Sequence, residues 1–371
     1  MAVAADGTPQ LMWEKWMRRA LDLAALAEGR TSPNPLVGAL VLDHTGRLVG
    51  EGFHARAGEP HAEVGALAQA GESARGGTLV VTLEPCCHHG RTPPCSEAVI
   101  RAGIARVVVA LKDPDPRVAG GGIAQLRQAG VEVIVDVLRE VAEEQNHVFL
   151  HRVKTGRPWG VLKWAMSLDG RTALPNGLSQ WISGPPARAW VHRLRADCDA
   201  VIVGGGTVRA DDPLLTSRGQ RLPEPLRVVL SRSLDLPEQA RLWDVRPAPT
   251  VVAHGPEAAD CSLACGPERL LLDECEPKAL MQALANRGCN RVLWECGPKL
   301  AAIALRQGCI QEVAAVVAPK LMGGMAARTP LGDLGLQRME DVPTGMLQHP
   351  IGIGDDWLMR FRLRACIEFN R

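Results

Sequence analysis

The feature that most constrains this chain is a set of three potential metal ligands, each placed at the edge of a regular element. His61 opens the run His61-Ala62-Glu63 at the start of a predicted helix, Cys86 follows Pro85 after an apolar run, and Cys95 begins another predicted helix after Pro94. A fold that unites them must bring two helix starts to the end of one strand, as an α/β sheet covered by helices does. A neutral imidazole with two thiolates suits tetrahedral zinc, and three protein ligands leave the fourth position for water.

Glu63 stands two residues beyond His61, able to address that water without being a ligand. Nucleobase deaminases use this arrangement: the metal acidifies a water, the water attacks the amino-bearing ring carbon, and a glutamate relays protons to the leaving amine. One departure is the spacing, because eight residues, Cys87 to Pro94, separate Cys86 from Cys95 where Pro-Cys-x-x-Cys is usual. A structural zinc, or unrelated thiols, is the competing reading. Cys87 rivals Cys86 as a ligand, but one tetrahedral site does not comfortably accept adjacent cysteines as well as Cys95, so Cys87 is expected to be a bystander. The loop CCHHGRTPPC also carries His88, His89 and Arg91, which could bind anionic substrate groups, although either histidine alone reads equally well as an exposed loop residue.

At 371 residues the chain exceeds one ordinary hydrophobic core, and two domains are expected. Forty-two Lys plus Arg balance 41 Asp plus Glu, which argues against a nucleic-acid partner and leaves small anionic substrates open. Charged residues Glu14, Lys15, Arg18, Arg19 and Asp22 interrupt the N-terminal apolar residues, and no stretch suits a membrane span, so a cytoplasmic protein is expected. The 11 cysteines are then read as thiols or metal ligands rather than a disulfide framework.

Periodicity predicts a first helix over Trp13 to Glu28, with Leu26 on its apolar face and Gly29 as its stop. Strands follow at 36–42, 47–52, 78–83, 106–111 and 131–135, with helices at 61–70, 95–102 and 123–128. The pattern lapses between Asn146 and Pro158, which places domains at 1–150 and 151–371. A second alternation has strands at 159–166, 200–204, 226–230, 250–253, 291–294, 312–318 and 357–363, and helices at 185–195, 277–286 and 299–306. Two glycine clusters, Gly120 to Gly122 and Gly204 to Gly206, fall short of Gly-x-Gly-x-x-Gly because Gln125 and Arg209 occupy the last positions. The turn from Gly204 to Thr207 could still cradle a phosphate, with a plain structural turn as the alternative.

The runs TSPNPLVGALV, GFHARAGEPHAEV and TLEPCCHHGRTPPC together resemble the deaminase domain of the bifunctional riboflavin-biosynthesis deaminase/reductase family. LKWAMSLDGRTA, SQWISG, VGGGTVRADDPLLTSR, LWECGPKLAA and APKLMGG resemble, in order, its reductase domain, so the likeness covers almost the whole chain. It implies a cytidine-deaminase-like α/β/α sandwich followed by a dihydrofolate-reductase-like α/β domain. In the first domain it implies zinc at His61, Cys86 and Cys95, Glu63 as general acid/base, and substrate contacts from Asn34, His54, His88, Arg91 and Asp113. Cys87 stands where the family commonly has Ser, and Asp115 where Asn is common.

In the second domain the resemblance implies NADPH near Ala165, Trp181, Thr207, Asp211 and the run Gly297, Pro298, Lys299, Leu300, Ala301, Ala302, Ile303. Substrate contacts are implied at Ser179, Arg195, Leu215, Arg218 and Glu295. Arg195 and Arg218 offer guanidinium forks to a 5′-phosphate, and Trp181 could stack on a planar ring or be a core aromatic. Lys163 and Glu295 are candidates for proton delivery and for polarising the opening sugar; a surface lysine at a strand end is the alternative for Lys163. Lys299 stands where Thr is frequent, and Val229-Leu230-Ser231-Arg232 lacks the usual Asp.

The implied reactions are hydrolytic deamination of 2,5-diamino-6-ribosylamino-4(3H)-pyrimidinone 5′-phosphate and NADPH-dependent reduction of the product's ribose to ribitol. Competing readings are a deaminase of free nucleosides or RNA bases, and a non-catalytic second domain that binds nucleotide or holds a dimer. The sequence leaves open whether the chain forms a homo-oligomer.

Overall fold

The structure, a computed structural model, describes residues 9–88, 93–114, 120–261 and 266–364. The chain divides into two compact units, Met1–Thr155 and Gly156–Arg371.

Unit one runs α1 (Pro9–Ala25), β1 (Gly38–Leu42), β2 (Leu48–Phe53), α2 (Ala62–Ala70), β3 (Thr78–Leu83), α3 (Cys95–Arg101), β4 (Arg106–Leu111), α4 (Gly121–Gln128), β5 (Glu132–Ile134), α5 (Arg139–Gln145) and α6 (His147–Thr155). The sheet order is β2-β1-β3-β4-β5, antiparallel where β1 meets β2 and β3 and parallel from β3 to β5. The runs GALVL and TLVVTL are buried throughout, because helices cover both faces. Alternate residues divide between those faces: Leu40, Val80 and Val108 pack with Trp13, Met17 and Phe149, whereas Val41, Val81 and Val109 pack with Ala62, Ala66 and Leu126. This is a three-layer α/β/α sandwich. Helix α2 sits tight on β2, since a Cβ on Gly50 or Gly52 would overlap the α2 carbonyls of Ala66 and Ala62.

Helix α1 starts earlier and ends earlier than periodicity predicts. Residues after Ala25 form turns, and Leu26 is exposed rather than on the buried stripe of Trp13, Met17, Ala20, Leu21 and Ala24. The segment expected to be an irregular junction forms α6, which buries Phe149 and Leu150 beneath a charged outer face.

Unit two contains β6 (Trp159–Ser167), α7 (Pro185–Ala196), β7 (Ala200–Gly204), α8 (Gly205–Asp211), β8 (Leu226–Leu230), β9 (Thr250–His254), β10 (Glu268–Leu271), α9 (Pro277–Asn286), β11 (Arg291–Trp294), α10 (Pro298–Arg306), β12 (Glu312–Ala318), β13 (Gly345–Leu347), β14 (Ile351–Ile353) and β15 (Asp356–Leu363). Its sheet runs β10-β9-β8-β7-β11-β6-β12-β15-β13, parallel from β10 to β12, with β15 antiparallel to β12, β13 and β14. The C-terminal ends of β6, β7 and β11 therefore lie side by side, where ligands of parallel sheets bind.

Candidate active sites

In unit one, His61 is the N-cap of α2, Cys95 is the first residue of α3, and Cys86 lies three residues past the end of β3. One ligand atom from each falls within 4.8 Å of the others. His61 Nδ1 is 3.2 Å from Cys95 Sγ and 3.7 Å from Cys86 Sγ. The Cys95 amide donates to Cys86 Sγ at 3.3 Å, and the Ser96 hydroxyl donates to the Cys86 carbonyl at 3.0 Å, which fixes the strand-end turn against α3. Hydrogen bonds from Cys95 and His61 pull the Cys86 thiol down to about 4, although burial opposes them. The facing Cys86 sulfur, with burial, pushes Cys95 up. Two sulfurs that cannot both be charged side by side, next to an imidazole, meet the electrostatic condition for a cation between them.

Glu63 is buried on the first turn of α2, and desolvation lifts its carboxyl to about 7. His54 lies edge-on to His61, with ring centres 5.5 Å apart. Its Nε2 pairs with Asn34 Nδ2 at 2.9 Å and its Nδ1 with the Pro60 carbonyl at 3.2 Å, an arrangement that suits the Nδ1–H tautomer. Burial lowers the His54 pKa, which keeps the ring neutral.

Glu84, next to Pro85, was not singled out from the sequence. Its buried carboxylate accepts the backbone N–H groups of Asp113 at 3.2 Å, Gly120 at 3.1 Å and Ile123 at 3.0 Å, tying the loop after β4 and the start of α4 to the metal-side turn. The Gly120 to Gly122 cluster serves the same packing. A Cβ on Gly122 would overlap the Pro85 carbonyl, and one on Gly121 would lie 2.7 Å from Cys87 Sγ. Cys87 thus has its sulfur against α4 and is not part of the metal-capable group. His88 is exposed and Asp113 half-buried, while Arg91 and Asp115 lie outside the described residues.

In unit two, Lys163 lies inside β6 and is half-buried, not a strand-end surface lysine. Because Leu162 pairs with Trp294, the next residues, Lys163 and Glu295, are neighbours in register. Arg195 of α7 grips Glu295 with both ends of its fork, Nε to Oε1 at 2.6 Å and Nη2 to Oε2 at 3.0 Å, and donates Nη1 to the Thr216 carbonyl at 3.1 Å. Three of the Arg195 nitrogens are thus engaged within the protein, by Glu295 and by the Thr216 carbonyl. Burial works to raise the Glu295 carboxyl, but Arg195, Lys163 and His192 outweigh it and hold Glu295 below its usual range. Burial, with Arg195, lowers Lys163 against the pull of Glu295.

Of the other expected substrate contacts, Ser179 is half-buried, Leu215 is buried and Arg218 is exposed. Asp212, Leu215 and Arg218 all hold left-handed backbone, at φ 39, 57 and 57, a concentration of strain found mostly at functional loops. Ala165 is half-buried on β6. Trp181 is 63% exposed, not a core aromatic, with the Arg188 guanidinium 4.5 Å from its ring centre and its carbonyl accepting Lys320 Nζ at 2.8 Å.

Gly204 to Thr207 form the cap and first turn of α8 instead of an isolated turn. A Cβ on Gly204 would lie 3.1 Å from the Leu300 side chain, so the beginnings of α8 and α10 are adjacent. At Gly206 and Gly297 an added Cβ would meet nothing within 4 Å, so the backbone is open to approach there. Asp211 is exposed near the end of α8. Of the remaining predicted cofactor run, Ala301 and Ala302 are buried, which leaves Pro298, Lys299, Leu300 and Ile303 toward the surface. The starts of α8 and α10 could hold a phosphate-bearing cofactor.

Residues 12–111 match the family model for the cytidine and deoxycytidylate deaminase zinc-binding region, and residues 158–350 match that for the RibD C-terminal domain. The chain is 51% identical to the riboflavin biosynthesis protein RibD of Synechocystis sp., over 92% of this chain and 94% of the relative. It is 41% identical to that of Escherichia coli, over 92% and 97%. Among solved structures, Acinetobacter baumannii RibD superposes with a TM-score of 0.86 at 39% identity, covering 96% of this chain and all of the other. The Thermotoga maritima diaminohydroxyphosphoribosylaminopyrimidine deaminase/5-amino-6-(5-phosphoribosylamino)uracil reductase gives 0.85 at 34%, with the same coverage. With both family models matched in order and full-length relatives well above 30% identity, the chain belongs to the bifunctional RibD family of riboflavin biosynthesis, joining a deaminase to a reductase.

Proposed function

We propose that residues 1–150 deaminate 2,5-diamino-6-ribosylamino-4(3H)-pyrimidinone 5′-phosphate and that residues 151–371 reduce the ribose of the resulting 5-amino-6-(5-phosphoribosylamino)uracil to ribitol. The observation that supports this reading is that His61, Cys86 and Cys95 converge past the end of β3 in the first unit, while in the second Glu295, just past β11, is paired with Arg195 and adjoins Lys163. The cysteines among the described residues are thiols, which suits a reducing cytoplasm, and no helix among those residues is long and apolar enough to cross a membrane.

His61, Cys86 and Cys95 would hold zinc, which when bound supplies the Lewis acidity that makes water nucleophilic near neutral pH. Glu63, with its carboxyl near 7, takes the proton from water and returns it to the departing ammonia. Asn34 and His54 orient the pyrimidine end, while His88, Arg91 and Asp113 complete the substrate contacts.

In the second unit NADPH would rest on the starts of α8 and α10, among Ala165, Trp181, Thr207, Asp211 and Gly297 to Ile303, and when bound it supplies the hydride. Lys163 donates a proton to the ring oxygen of the opening sugar. Glu295, kept ionised by Arg195, fixes the Lys163 ammonium and a sugar hydroxyl. Arg218, with an exposed side chain, takes the larger share of the phosphate, beside Arg195, Ser179 and Leu215.

Arg218→Ala is expected to raise the reductase KM for the pyrimidine by about 10-fold or more, as loss of a charge-assisted hydrogen bond does, with ammonia release unchanged. Parallel loss of deamination would contradict the two-site reading. A second outcome concerns pH. A lysine whose pKa is lowered sheds its proton earlier, so reductase kcat/KM falls on the alkaline side through a value below 10.5, while the deaminase does not share that limb. A rate flat to pH 10 would remove Lys163 as the acid. One coupled assay on purified protein, following ammonia and NADPH oxidation separately, tests the whole assignment: ammonia without NADPH consumption would leave only the first half.

A further inference from the structure

His192 is assigned no part in the reaction described above, yet it stands among the groups that carry it. It is one helical turn before Arg195 on α7, so the two side chains share a face. Its imidazole lies within electrostatic reach of Arg195 on its own helix, Arg218 on the loop after α8, and Glu295 at the end of β11. The ring is half-buried, and its buried Nδ1 has no hydrogen-bond partner among the described residues. The Thr216 carbonyl, which accepts Arg195 Nη1, is also within hydrogen-bonding reach of the ring, so it can engage one imidazole N–H and leaves the other nitrogen for a ligand. Burial, followed by the two guanidiniums, lowers its pKa beyond what Thr216 and Glu295 offset, so the ring is neutral and offers one donor and one acceptor.

A buried imidazole nitrogen left unpaired within reach of two arginines is an open hydrogen-bonding position, since buried polar groups are normally satisfied. Arg195 spends its fork on Glu295, which leaves the anionic end of a phosphoribosyl substrate short of donors beyond Arg218. A neutral histidine at this position supplies one without adding a third positive charge beside Lys163.

We infer that His192 is a specificity-determining residue of the reductase, hydrogen-bonding the phosphate end of the ribose phosphate alongside Arg218. The inference rests on the reductase reading above. The test is steady-state reduction of the deaminated phosphoribosyl pyrimidine by His192→Ala and His192→Gln, with inorganic phosphate as a competitive probe. His192→Ala is expected to raise the pyrimidine KM about 10-fold, with kcat and the NADPH KM within about two-fold, and to weaken phosphate inhibition in parallel. His192→Gln, whose amide again carries a donor and an acceptor, recovers most of the affinity. Ammonia release and the melting curve of each variant report folding.

Equal impairment in the alanine and glutamine variants, a joint rise of both KM values, or phosphate inhibition equal in wild type and variant would overturn the role. If wild-type protein turns over and His192→Ala matches it, this inference alone fails. If wild-type protein consumes no NADPH with the deaminated substrate, the reductase reading fails and takes this one with it.

Discussion

Replacing Glu63 with glutamine is expected to leave the metal bound and to slow ammonia release by about 10²–10⁴-fold, the usual cost of losing a positioned general acid/base. That is a rise of about 3–5 kcal/mol in the barrier. The carboxyl is buried on the first turn of α2, and α2 is held against β2 through the glycines at 50 and 52, so an isosteric amide keeps its place. The amide cannot take a proton from water or pass one to a leaving amine. None of His61, Cys86 and Cys95 is altered, so zinc per chain should equal that of the parent protein. Reduction of substrate already deaminated should proceed at the parent rate, since Lys163, Glu295 and Arg195 lie in the other unit. Near-normal ammonia release from Glu63→Gln would remove the residue from the chemistry.

Much of the architecture was legible because central parallel strands write themselves as continuous apolar runs. The predicted limits of the strands at 78–83, 106–111, 200–204, 226–230, 291–294 and 312–318 coincide with those observed. Helices α5 and α6 were missed because REVAEEQ and HVFLHRVKT read as charged segments, and a buried side of only Ala142 in one and of Phe149 and Leu150 in the other is too short a signal to outweigh that. Arg227 is another case: it lies fully buried within the predicted strand LRVVL, its guanidinium donating to the carbonyls of Leu214, Leu242, Asp244 and Ala248. Nothing local announces four carbonyl acceptors arriving from other parts of the chain.

The sites divide in the same way. The metal-capable trio could be read from residue type at two helix starts and one strand end, because element boundaries and ligand chemistry are local. The engagement of Arg195 by Glu295, 100 residues further along, could not, and neither could the purpose of Gly122, which exists to clear the Pro85 carbonyl. A residue such as Glu84 was hidden because its three partners are backbone amides, which every sequence supplies.

The ligand register itself is most sharply tested by three serine substitutions. Cys86→Ser and Cys95→Ser are each expected to strip zinc and reduce deamination to background, because three protein ligands leave no redundancy and a serine hydroxyl does not ionise near neutral pH. Cys87→Ser is expected to keep a full complement of metal and near-parent activity. The geometry behind this asymmetry is specific. Cys86 Sγ accepts the Cys95 amide and lies 3.7 Å from His61 Nδ1, with its backbone held by Ser96, whereas Cys87 turns its sulfur toward Gly121 at the start of α4. Burial and the neighbouring Glu84 and Cys86 charges also push the Cys87 thiol up, away from the thiolate form a ligand needs. Zinc per chain and ammonia release, measured on all three variants with the reductase rate as a folding control, separate the cases. If Cys87→Ser alone lost its metal, the register would shift by one residue, and the turn from Pro85 would have to present its next side chain to His61, carrying His88 and Arg91 away from the positions assigned to them.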